Sequence, residues 1–383
     1  MSAVRIEALD RIGDINAKLW DALVSETGGS VLSSHAFLSA FEESTSVSIK
    51  TGWQPKHVIL RDESGALIAA VPLYAKSHSY GEFVFDWAWA EAYERHGLAY
   101  YPKWLSAIPF TPVPGARLLC APQNRALAAR ALVQWAKESK LSSLHVLYTS
   151  PEDQEALCEA GCMPRTHTQF HWLNKGWESF DDFLASLTQS KRKKIRAERR
   201  KVREAGVTTR VLTGSEIQAS DWEFFYHCYA NTYALRGNPP YLTPAFFTWV
   251  GHTLSEHCVM TLAYRDHKPI ASSLLWLDTV NGQRKLYGRY WGAVEHVDCL
   301  HFELAYYTPL EWALSHDIAV IEGGAQGEHK LARGFEPVQT VSAHWLAHPG
   351  FADAVEKFLE KERMGVNQYV GALKSPFRAE IGD

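Results

Sequence analysis

This sequence predicts an α+β protein made of two tandem copies of one unit, each a mixed central sheet flanked by helices. Three observations predict it. The first is a repeat. Residues 58–74 read as a strand, an Arg61-Asp62 turn and a second strand through Ile68, Val71 and Tyr74. Residues 261–276 read the same way, with an Arg265-Asp266 turn and a strand through Ile270, Ser273 and Trp276. A third strand-like stretch follows each time, Phe83–Trp89 and Leu286–Gly292, and the offset stays near 202–204 residues. A strand–turn–strand–strand unit repeated once at that distance marks a duplicated domain, not a solenoid. Second, the chain of 383 residues, 46% of them apolar, is long for a single hydrophobic core. Third, the second half orders as strand, two helices, three antiparallel strands, helix, strand, short loop, strand, which is an α+β order with a mixed sheet. The expected division is residues 1–175 and 176–383. A duplicated domain leaves a cleft between its copies, and ligands favour domain interfaces.

The elements follow in order. The first 50 or so residues read as helical, with apolar residues at helical spacing around Leu19 and Trp20 and with Ser34 placed to cap a helix opening at His35. Strands run from about His57 to Trp89. Pro102, Pro109, Pro112 and Pro114 mark a long loop from Tyr93 to Gly115, and loops of that length are usually functional. A helix from Ala126 to Lys140, a strand at Leu144–Tyr148, a helix from Pro151 and a strand at Gln169–Leu173 close the first half. In the second half, Asp181 and Asp182 sit in the first turn of a helix, where they complement its dipole. Helices at 222–236 and 244–257 precede the repeated strands. A helix from about Leu300 to Ser315, strands at Ile318–Glu322 and Thr340–Ala347, and a helical C-terminal segment complete the chain.

Charge and composition bound the function. With 39 basic and 43 acidic residues, the net charge of −4 gives no global attraction for nucleic acid. The amino terminus lacks the apolar stretch of a signal peptide, and no run of about 18 apolar residues suggests a transmembrane helix. The six cysteines show no CxxC pairing, although Cys158 and Cys162 lie four apart. Reduced, mostly buried thiols in a cytoplasmic protein, with no metal, are the expectation.

Three stretches carry candidate chemistry. Nine of the thirteen residues from Lys191 to Arg203 are basic, leaving Ile195 and Val202 as an apolar seam on a helix spanning 190–204. Such a block is either a solvated helix or a seat for an anionic partner: tRNA, a phosphorylated carrier or the phosphates of coenzyme A. The second stretch, Gly323 to Phe335, places four glycines after a strand. Its backbone amides could cradle a phosphate or an oxyanion, with His329, Lys330 and Arg333 adding donors and charge. The Gly-Lys-Ser/Thr ending of a P-loop is absent. The third is the helix that opens at Leu300, where Glu303 and Tyr307 share a face at i, i+4. There His301, Glu303 or Tyr307 could serve as general base or acid for acyl transfer to an amine. His296, Asp298 and His301 fit no standard zinc spacing.

With Ser190–Glu198, Gly206-Val207, Tyr229–Thr232, Tyr241-Leu242 and His329–Phe335, the sequence resembles the FemAB-like branch of the GNAT acyltransferases. It is most similar to the bacterial group described as peptidoglycan biosynthesis/recognition, through Ser77–Ala90, Tyr100–Lys103, Pro109–Pro112, Leu300–Glu303 and Gly324–Lys330. These segments span about residues 50–345. The resemblance implies two GNAT-like domains and transfer of an acyl or aminoacyl group to a small-molecule or peptide amine in the cleft between them. It implies no tightly bound cofactor; the donor is aminoacyl-tRNA or acyl-CoA. The GNAT pyrophosphate pattern, Arg/Gln-x-x-Gly-x-Gly/Ala, is not matched cleanly by Gln326–Gly334. The roles expected are these: Gln326, Gly327, His329, Lys330, Arg333 and Gly334 at the donor; Glu303 or His301 as base and Tyr307 as acid; Glu82, Asp86, Trp87, Trp89, Tyr93, Tyr101 and Lys103 on the acceptor side. Two alternatives compete with this reading, an acetyl-CoA-dependent N-acetyltransferase of a small amine and a non-catalytic protein that recognises cell-wall fragments or peptides.

Overall fold

The computed structural model describes residues 4–325 and 327–378. The chain divides into two compact units, one comprising residues 1–168 and 339–372 and the other 169–338 and 373–383. This differs from the single cut at 175/176 that the sequence suggests. The strand Glu336–Leu346 carries the chain back, and the helix after it belongs to the first unit.

Helices and strands run as follows: β1 Arg5–Leu9, α1 Ala17–Glu26, α2 His35–Glu43, β2 Trp53–Pro55, β3 His57–Arg61, β4 Leu67–Val71, β5 Tyr74–Lys76, α3 Trp87–Arg95, β6 Lys103–Ser106, β7 Leu119–Cys120, α4 Arg125–Glu138, β8 Ser143–Val146, α5 Pro151–Glu159 and β9 Met163–Leu173. Then come α6 Phe180–Ser186, α7 Gln189–Glu204, β10 Val207–Thr213, α8 Ala219–Ala234, α9 Pro244–Thr253, β11 Cys258–Arg265, β12 Lys268–Val280, β13 Gln283–Ala293, α10 Leu300–Phe302, α11 Thr308–Leu314, β14 Val320–Glu322, β15 Glu336–Leu346 and α12 Pro349–Ala372. No helix among the described residues is long and apolar enough to cross a membrane.

The first unit holds an antiparallel sheet ordered β1-β3-β4-β7 and a second sheet in which β2, β5, β6 and β8 are neighbours, with β6 and β8 parallel and residues 343–346 of β15 antiparallel to β8. Its core fills with Val58, Leu60, Val71, Leu132, Leu144 and Val146. Helix starts obey local capping chemistry, since Ser34 Oγ accepts from Phe37 N at 3.1 Å and Ser150 Oγ from Asp153 N at 3.2 Å ahead of Pro151. The repeated hairpin is real in both units, with Val58 opposite Val71 in one and Ala263 opposite Ala271 in the other.

Its third strand exists only in the second unit. In the first, Phe83 takes φ 63° and the chain turns into α3, whose start at Asp86 pairs with the Lys103 ammonium. The alanines, glutamates and arginine from Ala88 to Arg95 favour a helix there over the strand that Phe83–Trp89 suggests. The stretch from Tyr93 to Gly115 is likewise not one loop: it contains the end of α3 and the buried strand β6.

In the second unit β10, β11, β12 and β13 form an antiparallel run, β14 joins β13 in parallel, and residues 171–173 of β9 pair with β14. Both units are therefore mixed sheets with flanking helices. Two features of this sheet shape the site. The β12–β13 register slips after Leu274, which faces Tyr290, while Leu275 faces Gly288, so Arg289 is bulged out. The β13–β14 pairing also stops after Tyr287 and Glu322, where β14 ends while β13 runs on to Ala293.

The helix expected from Leu300 to Ser315 is interrupted by a π-helical turn, Glu303–Tyr307. Pro309 is the cause readable in sequence: it has no N–H to offer residue 305 and its ring crowds that carbonyl. The widened turn leaves the Leu304 carbonyl to Thr261 Oγ1 at 3.0 Å and Ser273 Oγ at 2.8 Å. Turns of this type occur often at functional sites.

Candidate active site

Beyond the end of the β13–β14 pairing, the second unit contains a cavity of about 90 Å³, lined by Gly288, Arg289, Tyr290 and Trp291 of β13, Ser273–Leu275 of β12, His301, Ala305 and Tyr306 of the interrupted helix, and Gly323 and Phe335. The π turn sends Tyr306 towards this space and Tyr307 away from it. His301 stands against Trp291, Tyr306 and His329, with ring centroids 5.0, 5.6 and 6.2 Å away. Tyr306 Oη lies 3.0 Å from His329 Nε2.

The glycine-rich segment closes one side. Lys330 is 2% exposed and donates to the Gly324 carbonyl at 3.3 Å. A Cβ on Gly323 would sit 2.9 Å from Lys330 Cδ, so glycine is what lets the lysine stem pass. Gly327 has φ 127°, and a Cβ there would meet His329 and Lys330. Residue Gln326 lies outside the described residues.

Electrostatics sort these groups. Burial, with repulsion from His329, Arg333 and Lys330, lowers the His301 pKa to about 4, so the ring is neutral at pH 7 and can take a proton. Burial and the neighbouring Arg289 lower Lys330 to about 8, which leaves it mostly charged at pH 7. Burial raises Tyr306 to about 12 and keeps it a hydroxyl donor. His329 is lowered by burial and by Lys330, Arg333 and Lys194. A neutral imidazole and a hydroxyl donor thus line one small space, and the stem of a buried lysine packs against Gly323 of its wall.

Other expected residues are held elsewhere. Glu303 is 5% exposed and accepts from Arg199 Nε at 3.0 Å and Thr308 Oγ1 at 3.2 Å. It is committed to an ion pair beside α7 and does not line the cavity. Tyr307 is buried and donates to Glu198. Arg333 is buried too. It donates to both Glu198 oxygens at 2.8 Å and to the His329 carbonyl at 2.7 Å, with its guanidinium 3.4 Å over the Phe302 ring. Gly334, at φ 83°, ends the 3-10 turn against Phe183. His296 and Asp298 form an exposed pair at 3.4 Å, without His301.

Helix α7 buries Ile195 and Val202, the expected seam, and with them Glu198. Lys193, Lys194, Arg196, Arg200, Lys201 and Arg203 remain exposed. Glu198 was not singled out for a role from the sequence. It is the one acid within Lys191–Arg203 and lies at i+3 from Ile195, on the seam, which is the signal that could have revealed it. Arg289 and Tyr306 had no comparable signal, because only the bulge and the π turn aim them.

The residues expected on the acceptor side lie in the first unit and form an internal cluster. The Lys103 ammonium, wholly buried, meets Glu82 at 2.8 Å, Asp86, and Ser79 Oγ at 2.8 Å, with the Tyr100 and Tyr101 rings beside it. Burial lifts Glu82 to about 7. Burial would lift Asp86 as well, but Lys103 and His145 outweigh it and hold its pKa well below the carboxylate range. Burial alone would lower Lys103, yet the two carboxylates keep it above its ordinary value. Trp89 and Tyr93 are buried packing residues, Tyr93 stacked on Phe351 at 4.0 Å, and Trp87 is half-buried against Tyr80.

The comparisons with known proteins agree with this architecture. The FemAB_like family, described as peptidoglycan biosynthesis/recognition, matches residues 11–379. Among solved structures, FemX superposes with a TM-score of 0.54 at 13% identity, over 89% of this chain and 98% of that one. L-PGS from Bacillus licheniformis gives 0.52 at 8%, over 90% and 97%. A DUF2156 C-terminal domain from Agrobacterium fabrum gives 0.52 at 8%, over 91% and 95%. The fold is that of two tandem GNAT-like units. No curated protein matches the sequence.

Proposed function

From a chain that belongs to the FemAB-like family, we propose an acyltransferase that moves an aminoacyl or acyl group to an amine, with the cavity lined by β12, β13 and the interrupted helix as the place of reaction. The observation that carries this is that neutral His301 and hydroxylic Tyr306 line that cavity, while the stem of cationic Lys330 packs against Gly323 of its wall. In the reaction the amine nitrogen attacks the donor carbonyl, and the carbonyl oxygen becomes an oxyanion. Lys330 supplies positive charge to stabilise it. His301 takes the proton lost by the nitrogen. The oxyanion then collapses, the carbon–oxygen or carbon–sulfur bond of the donor breaks, and Tyr306 gives a proton to the leaving group; water replaces that proton through His329, and His301 releases to water the proton it took. The acid role thus moves from Tyr307 to Tyr306, one residue earlier on the π turn.

The donor we propose is aminoacyl-tRNA, held through the six exposed cations of α7, and the acceptor is an amine of a peptide or peptidoglycan precursor. If all six contacted phosphate, affinity would fall by roughly a thousandfold between 50 and 200 mM salt. The test measures transfer from charged tRNA and from acetyl-CoA at two salt concentrations, with His301→Ala and Lys330→Ala beside the native chain. Salt-sensitive transfer from tRNA, lost in both variants, supports the reading. Transfer from acetyl-CoA alone would make the protein an N-acetyltransferase. Full activity in both variants would sink the assignment of the site, and binding without turnover would favour a recognition protein.

A further inference from the structure

A second concavity lies away from the reaction cavity, between α8 and α9. Its volume is about 470 Å³, inside the range of small-molecule sites. Trp222 and Tyr226 stand one turn apart on α8, and Phe247 and Gly251 one turn apart on α9, so two matched helix faces build it. Phe247 is the buried floor. Trp222 stacks on it at 6.3 Å and 27°, and Tyr226 leans on it at 6.0 Å. Gly251 admits the indole, because a Cβ there would stand 2.7 Å from Trp222 Nε1. The charge of the lining is one-sided. Glu223 is its only carboxylate, exposed at the rim with His252, and no lysine or arginine among the described residues faces the space.

We propose that this groove binds a small organic ammonium ion carried on an aromatic body. Aromatic faces attract a cation through their quadrupoles, most strongly at tryptophan, and Glu223 adds a fixed negative charge at the mouth. The same groove rejects anions, which would meet the carboxylate with no counter-charge nearby. An aromatic body fills the concavity beside the indole of Trp222 and the phenol of Tyr226. The site is independent of acyl transfer: Phe247 packs 5.8 Å from Tyr290, a residue of the reaction cavity, but ligand binding requires no turnover.

The test is calorimetric titration of the full chain with phenethylammonium and with its neutral counterpart 2-phenylethanol, at low and high salt. The native protein is expected to bind the cation at least about fivefold tighter than the alcohol, and the preference should shrink in high salt. In Glu223→Gln, an exposed change that leaves the core intact, the preference should shrink by at least about twofold to the share the aromatic faces supply, while alcohol binding is unchanged. Trp222→Ala should abolish binding of both probes. Equal affinity for the two probes, an undiminished preference in Glu223→Gln, or no binding by the native chain would each overturn the proposal.

Discussion

Replacing Arg333 with alanine tests the connection between the basic helix and the glycine-rich segment. Arg333 is 2% exposed, and its Nη2 supplies both oxygens of Glu198 with contacts at 2.8 Å. Removing it leaves the Glu198 carboxylate in a largely dry setting with the Tyr307 hydroxyl as its remaining neutral donor. Breaking one side of a buried ion pair costs about 3–5 kcal/mol. Loss of the cation over Phe302 adds about 0.5–2 kcal/mol. For a unit of this size, 3–5 kcal/mol lowers Tm by roughly 6–20 °C. The assay is thermal and denaturant unfolding of Arg333→Ala, Glu198→Ala and the double variant. The double variant should be less destabilised than the sum of the singles, with a coupling of about 1–3 kcal/mol. A loss below about 1 kcal/mol in Arg333→Ala, or additive singles, would refute the reasoning and mean that water reaches the carboxylate.

Further outcomes are expected. Transfer activity should have a bell-shaped pH dependence, lost as pH falls through about 4 where His301 gains a proton and lost as pH rises through about 8 where Lys330 sheds one; Lys330→Arg should move only the alkaline limb upward. Burial lowers Lys330 from its ordinary 10.5 to about 8, so between those values the unfolded chain holds the extra proton and this lysine's contribution to stability rises with pH, measurable as denaturation midpoints against Lys330→Met. Glu322 behaves oppositely: burial raises it from 4.5 to about 8, the folded chain holds the extra proton, and stability falls as pH rises through that window, a slope that Glu322→Gln should flatten. Lys103→Met should leave Glu82 and Asp86 as unpaired buried carboxyls and destabilise the first unit by about 3–5 kcal/mol, whereas a loss under about 1 kcal/mol would show that the cluster is hydrated.

The sequence by itself determined what depends on near neighbours along the chain. Apolar alternation and the Arg-Asp turns specified both hairpins, Ser34 its helix start, and the seven-residue spacing of Ile195 and Val202 the inward seam of the basic helix. The grouping of His329 and Lys330 in a glycine-rich turn was also legible, because glycine's freedom is a local property. The tertiary structure alone decided what depends on distant partners. Phe83–Trp89 has strand-forming residues, but the chain turns at Phe83 and the start of α3 is fixed at Asp86 to Lys103, seventeen residues beyond. Glu303 looked available as a base until Arg199, 104 residues away, took it as an ion partner. Tyr306 and Tyr307 are equivalent in composition, and a π turn, held by Thr261 and Ser273 from two strands, selects which of them enters the cavity. Local preferences differ by about 1 kcal/mol or less per residue, whereas an unpaired buried charge costs several, so where the two conflict the long-range contact sets the outcome.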